Sequence, residues 1–96
     1  MIEILRTEAF IDWLDGLRDS QAVAKIATRL KRVAEGNFGD CAPVGEGVSE
    51  LRIHYGPGYR VYFVRRGSAV VVVLGGGDKS TQDRDIELAK ALQKEL

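Results

Sequence analysis

The chain has 96 residues, 45% of them hydrophobic, with 14 basic and 14 acidic side chains and a formal net charge of zero. That length suits one domain near the small end of what folds alone, and the apolar share excludes an intrinsically disordered chain. Zero net charge argues against bulk electrostatic attraction to nucleic acid, and the longest apolar run, residues 69–74, is far too short to span a bilayer.

The opening residues, MIEILRTEAF, lack the basic start and apolar stretch of a secretion signal. Cys41 is the only cysteine, so no internal disulfide is available. Both features fit a cytoplasmic protein. Residues 2–7 alternate enough to predict a strand. Thr7 is then a candidate N-cap, and Phe10, Trp13, Leu14 and Leu17 follow at i, i+3, i+4 and i+7, an apolar helical stripe. Asp19 or Ser20 can cap a second helix whose stripe is Val23, Ile26, Ala27, Leu30 and Ala34, with Gly36 as its stop. So short a connection predicts an antiparallel helical hairpin. Phe10, Trp13 and Phe38 read as core rather than as a binding platform.

Residues 36–47, GNFGDCAPVGEG, read as loop. Beyond them the period changes to two. Residues 48–55 and 59–66 alternate, and 69–74 are apolar throughout, with turn signals at Gly56-Pro57-Gly58 and Gly67-Ser68. This predicts a three-strand antiparallel meander whose last strand is buried on both faces. A three-residue loop at 56–58 sets Tyr55 opposite Tyr59, His54 opposite Arg60, Ile53 opposite Val61, Arg52 opposite Tyr62 and Leu51 opposite Phe63, so that apolar meets apolar. Leu51, Ile53, Val61 and Phe63 then lie beneath the helices. Arg52, His54, Arg60 and Tyr62 share the other face, with Glu50 at its edge. A last helix begins near Ser80, where Ser80 and Asp83 resemble a capping box, and Ile86, Ala89, Leu92 and Leu96 form its apolar side. The order β-α-α-β-β-β-α describes a single α+β domain: an antiparallel sheet, an N-terminal helical hairpin on one face and a short C-terminal helix.

Charge is unevenly spread. Residues 20–34 carry Lys25, Arg29, Lys31 and Arg32 with no acid, residues 51–66 carry Arg52, Arg60, Arg65 and Arg66 with no acid, and residues 35–50 carry only acids. These are solvated faces or a local anion-binding surface. The stretch VVVVLGGGDKST invites comparison with a nucleotide-binding P-loop. With Lys79 as the loop lysine, however, Asp78 and Val73 occupy both required glycine positions, so the spelling fails. No metal-ligand spacing and no nucleophile–histidine–acid order is present, so neither a metal nor a cofactor is expected. Arg52, Arg60 and Lys79 can instead surround a phosphate directly, because a guanidinium offers it a planar fork of donors. His54 is a candidate acid or base, since histidine's reference pKa lies near neutrality, or a surface strand residue. Tyr62 is a candidate for stacking on a base or for cross-strand packing. Gln82 can bond a base edge or occupy the first turn of the helix, and Lys25 and Arg29 on the second helix can contact RNA or face solvent.

ELRIHYGPGYRVYF followed by LGGGDKSTQDRDIELAKAL closely resembles the HigB-like addiction-module killer proteins of the RelE/ParE toxin superfamily, and the likeness runs along nearly the whole chain. Glu50-Leu51-Arg52, Gly58-Tyr59-Arg60 and Asp78-Lys79-Ser80-Thr81-Gln82 occur together in the order of that superfamily. The resemblance implies a RelE/ParE-like fold and a toxin of a type II toxin–antitoxin module, neutralised by a cognate antitoxin, a small helix-turn-helix protein. It further implies ribosome-dependent, metal-independent cleavage of mRNA. The ParE branch, which poisons DNA gyrase, and an inactive module that only binds its antitoxin are the alternatives. Arg60 matches the strand arginine associated with phosphate contact in the ribonuclease branch, Arg52 a second basic position on the neighbouring strand, and Lys79 a position where that branch keeps catalytic or substrate-binding side chains. The His-Tyr pair that some relatives carry near the C-terminus is absent.

Overall fold

The computed structural model describes residues 1–96. In chain order it holds β1 (Glu3–Arg6), α1 (Glu8–Asp15), α2 (Ser20–Ala34), β2 (Cys41–Gly45), β3 (Val48–Ile53), β4 (Tyr59–Arg66), β5 (Val70–Gly77), a 3-10 turn (Lys79–Thr81) and α3 (Gln82–Glu95). The strands form one sheet in the order β1-β5-β4-β3-β2. Its antiparallel meander carries β1 as a parallel edge strand beside β5. Thr7 makes the turn out of β1. Its hydroxyl donates to the carbonyls of Val73 and Leu74 on β5 while accepting from the Phe10 N–H at the start of α1. Asp19 caps α2 by accepting from the N–H groups of Gln21 and Ala22.

Two cores sit on opposite faces of the sheet. Phe10 of α1 and Ile26, Leu30 and Val33 of α2 pack on Leu51, Ile53, Val61, Phe63, Val71 and Val73, with Trp13, Leu14, Leu17 and Phe38 at the margin. On the reverse face, Ala89 of α3 packs on Val48, Tyr62, Val64 and Leu74, with Ile86 and Leu92 alongside. The buried face of α2 is turned slightly from the expected stripe: Ala22 and Val33 are buried and Ala27 is exposed. No helix is long and apolar enough to cross a membrane.

Three further features differ from the sequence-based expectations. The stretch read as loop contains β2, whose glycine and proline content masks it. Pro43 is tolerated because β2 is an edge strand, paired only with β3. Glu46 (φ 54) and Gly47 (φ 82), both left-handed, close the β2–β3 hairpin. The β3–β4 register is Arg52 opposite Arg60 and Ile53 opposite Tyr59, which frees residues 54–58 as the loop. His54 and Tyr55 leave the ladder because other partners hold them. The His54 ring bonds Asp40, and the Tyr55 hydroxyl donates to Asp19 at 2.7 Å and contacts Gln21 at 3.1 Å. The displacement is an even number of residues, so every side chain keeps its expected face. Finally, Asp78 rather than Ser80 does the capping, accepting from the Ser80 N–H at 2.8 Å, and α3 has no side-chain cap of its own.

Candidate functional site

The polar face expected to meet solvent lies largely under α3. Glu50, at its centre, is 1% exposed. Its Oε1 accepts from Arg52 Nε at 3.2 Å and lies 3.7 Å from Arg60 Nε, and its Oε2 accepts from the Gln82 amide at 2.8 Å. The strand register explains the convergence. Arg52 faces Arg60 directly, Glu50 faces Tyr62, and Gln82 comes down from the first turn of α3. A carboxylate between two guanidinium groups offsets the repulsion their cross-strand pairing would otherwise cause.

Arg60 is the unusual member. Its side chain is 9% exposed, its Nε has no hydrogen-bond partner, and Glu50 is the only carboxylate paired with it. It opens on a cleft of about 410 Å3 that it shares with His54, Lys79 and the glycine-rich turn 56–58. The sequence makes room there. Gly58 has a left-handed φ of 81° and supports the Lys79 stem, which a Cβ at that position would meet at 3.5 Å. Lys79 is exposed and has no ion pair. It starts the 3-10 turn just beyond Gly77, which pairs with Arg60 across the β4–β5 ladder.

Arg52 stands beside this cleft rather than in it, held by Glu50 and by Asp40, whose Oδ1 is 3.5 Å from Arg52 Nη1. Asp40 also bonds the His54 ring. That bond first, then the charges of Arg52, His54 and Arg29, keeps the Asp40 carboxyl below its ordinary range. Arg29 is committed to structure. Its guanidinium donates to the Arg52 carbonyl and, at 3.2 Å each, to the carbonyls of Phe38 and Asp40, pinning the loop before β2 to α2. Lys25 lies over the Tyr55 ring, 5.3 Å from its centroid.

One expected role does not survive this placement. Tyr62 is fully buried beneath α3, so its ring cannot stack on a base. Its hydroxyl makes no hydrogen bond, and burial, followed by the nearby Glu50 and Asp85 carboxylates, raises its pKa far above the ordinary phenol range. Gln82 occupies the first turn of α3, one of its two expected placements, and its amide nitrogen donates to Glu50. The sequence reading placed Glu50 at the rim and overlooked Asp40. Strand alternation puts Glu50 on the face of Arg52 and Arg60, so a signal for it existed. Asp40 lies in an irregular segment, and no periodicity could have brought it to His54.

Residues 12–94 match the protein family described as phage derived protein Gp49-like (DUF891), a span that takes in Glu50, Arg52, Arg60 and Lys79. A Haemophilus influenzae protein described as uncharacterized is 50% identical over 95 residues, covering 99% of this chain and 96% of that one. The chain belongs to the Gp49-like family of phage-derived proteins, a family related to toxin–antitoxin systems.

Proposed function

We propose that this protein is the toxin of a type II toxin–antitoxin module and that it cleaves mRNA on the ribosome. One observation carries the reading: Arg60, nine-tenths buried and without a hydrogen bond, opens on a cleft that also holds the unpaired Lys79. Glu50 balances the charge of this guanidinium but leaves its donors without a hydrogen bond, and a phosphodiester fits its planar fork. In the cleavage step the ribose 2′-oxygen attacks the adjacent phosphorus. The O2′–P bond forms as the P–O5′ bond breaks, leaving a 2′,3′-cyclic phosphate and a 5′-hydroxyl. Arg60 and Lys79 stabilise the charge that develops on the phosphoryl oxygens, a contribution worth about 3 kcal/mol per well-placed donor in other enzymes. His54 lines the same cleft and exchanges the proton, with Asp40 holding its ring. Arg60 and Lys79 supply the positive charge that the phosphoryl oxygens need, so the step proposed uses no metal. The ribosome supplies the alignment of the attacking oxygen, which accounts for modest acid–base equipment in the protein itself. The neutralising partner is a small helix-turn-helix antitoxin.

Inducible expression in a bacterial host tests the reading. The wild-type chain arrests growth, co-expression of the antitoxin relieves the arrest, and Lys79→Ala abolishes it while the purified variant keeps its fold. A gyrase-directed toxin would keep its activity with Lys79→Ala and accumulate cleaved DNA complexes, and a binding-only module would leave growth unaffected. Arg60→Ala is a poor test because it strips the buried Glu50 of a partner. Arg60→Lys keeps the charge and loses the fork.

A further inference from the structure

A second cleft, of about 400 Å3, lies between α2 and the end of β3 and is lined by Lys25, Thr28, Arg29, Arg32 and His54 among others. His54 is a wall of both clefts. Together they are lined by Lys25, Arg29, Arg32, Arg60 and Lys79, and by no carboxylate. Of these five, Arg60 is paired with Glu50 and Arg29 is committed to three backbone carbonyls, which leaves Lys25, Arg32 and Lys79 without an ion pair. In a chain whose acids and bases balance, unpaired cations gathered in a concave surface mark where an external polyanion sits.

The neighbouring acids are accounted for. Asp40 is engaged by His54 and Arg52, Asp19 accepts from Tyr55, Asp78 beside Lys79 accepts from the Ser80 N–H and hydroxyl, and Glu50 is buried against Arg60. Asp83 lines the next depression beyond Lys79, together with Arg84, so the unbroken cationic lining ends at Lys79.

We infer that the two clefts form one track for single-stranded nucleic acid, with Arg32 and Lys25 taking a phosphate several nucleotides away from the one at Arg60 and Lys79. This rests on the ribonuclease reading and adds a substrate length and a second phosphate subsite to it. A single strand fits better than a duplex because the strand must turn around the exposed His54 between the clefts, which an unpaired backbone does readily. A binding track of this kind holds on the order of 4–16 nucleotides in other single-strand binders.

The test measures fluorescence anisotropy of labelled oligouridylates of about two and about ten nucleotides against the wild-type protein, Arg32→Glu and Lys79→Ala. Arg32 is exposed and unpaired, so its replacement leaves the fold intact, which circular dichroism checks. Lys79→Ala should weaken both lengths, whereas Arg32→Glu should weaken the longer oligomer about tenfold and leave the shorter one unchanged. Equal effects of Arg32→Glu on both lengths, or no effect on either, overturn the track while leaving the Arg60–Lys79 site standing. Failure of the wild-type protein to bind either oligomer overturns the track, whereas the ribonuclease reading stands or falls separately on ribosome-dependent cleavage. Poly-glutamate of matched charge is the competitor. If it displaces the longer oligomer as well as unlabelled RNA does, the surface is a general polyanion groove and the inference fails.

Discussion

Replacing Glu50 with alanine tests whether the buried charge cluster holds the site together. The carboxylate is 1% exposed and lies 3.7 Å from a guanidinium that is itself 9% exposed. Removing one member of such a pair strands the other and costs about 3–5 kcal/mol. The Arg52 contact adds little, since that side chain is 39% exposed and its partnership is largely screened. Losing the acceptor for the Gln82 amide adds about 1 kcal/mol. For a domain of this size the lower end of that range lowers Tm by roughly 12 °C or more, enough to read by circular dichroism on heating and by urea titration. The companion variant is Glu50→Ala with Arg60→Met. Removing both charges recovers much of the loss, because the penalty comes from the stranded guanidinium rather than from the missing pair. A Glu50→Ala protein within 1 kcal/mol of wild type, or a double variant less stable than the single one, would refute the reasoning.

Other expectations follow from single contacts. Tyr62→Phe removes a buried hydroxyl that makes no hydrogen bond, so stability should stay the same or rise by up to about 1 kcal/mol in urea titration. A Cβ at Gly77 would lie 1.8 Å from Asp85 Oδ2, an acceptor already held by Thr81, so Gly77→Ala should cost about 1–3 kcal/mol as Asp85 is pushed off its partner. Gly75→Ala, where a Cβ meets open space, is the matched control for that variant. Asp40, held down by its His54 bond and neighbouring cations, and Asp78, held down first by the Ser80 side chain, bind their protons less readily when folded. Their contributions are therefore complete above the ordinary carboxylate value of 3.8 and disappear as pH falls below it through the lowered native values. Asp40→Asn should flatten the acid limb of a stability–pH curve and leave the neutral plateau with the same slope.

The sequence made the faces legible and left the register ambiguous. Alternation alone puts Leu51, Ile53, Val61 and Phe63 on one side and Glu50, Arg52, Arg60 and Tyr62 on the other, and any even displacement preserves that division. Choosing among even registers takes tertiary anchors: Asp40 for His54, and Asp19 with Gln21 for Tyr55, all distant in sequence. The second core was hidden for a related reason. Polar residues on a strand face suggest solvent, yet Glu50 accepts from Gln82 and balances the charge of Arg60, which lets α3 close over them. Strand β2 was obscured because Pro43 and Gly45 signal loop by composition, and only an edge position, which one sequence does not reveal, makes them compatible with a ladder. The helix caps at Thr7 and Asp19 were legible because capping is local.

The central claim is that the Arg60–Lys79 cleft cuts mRNA held by the ribosome. It is tested most directly in a cell-free translation reaction by mapping mRNA 5′ ends with wild-type protein and with Lys79→Ala, each with and without ribosomes. The expected result is new 5′-hydroxyl ends that require both ribosomes and an intact Lys79. Intact mRNA from folded, antitoxin-free protein, or cleavage unchanged in Lys79→Ala, would contradict the account.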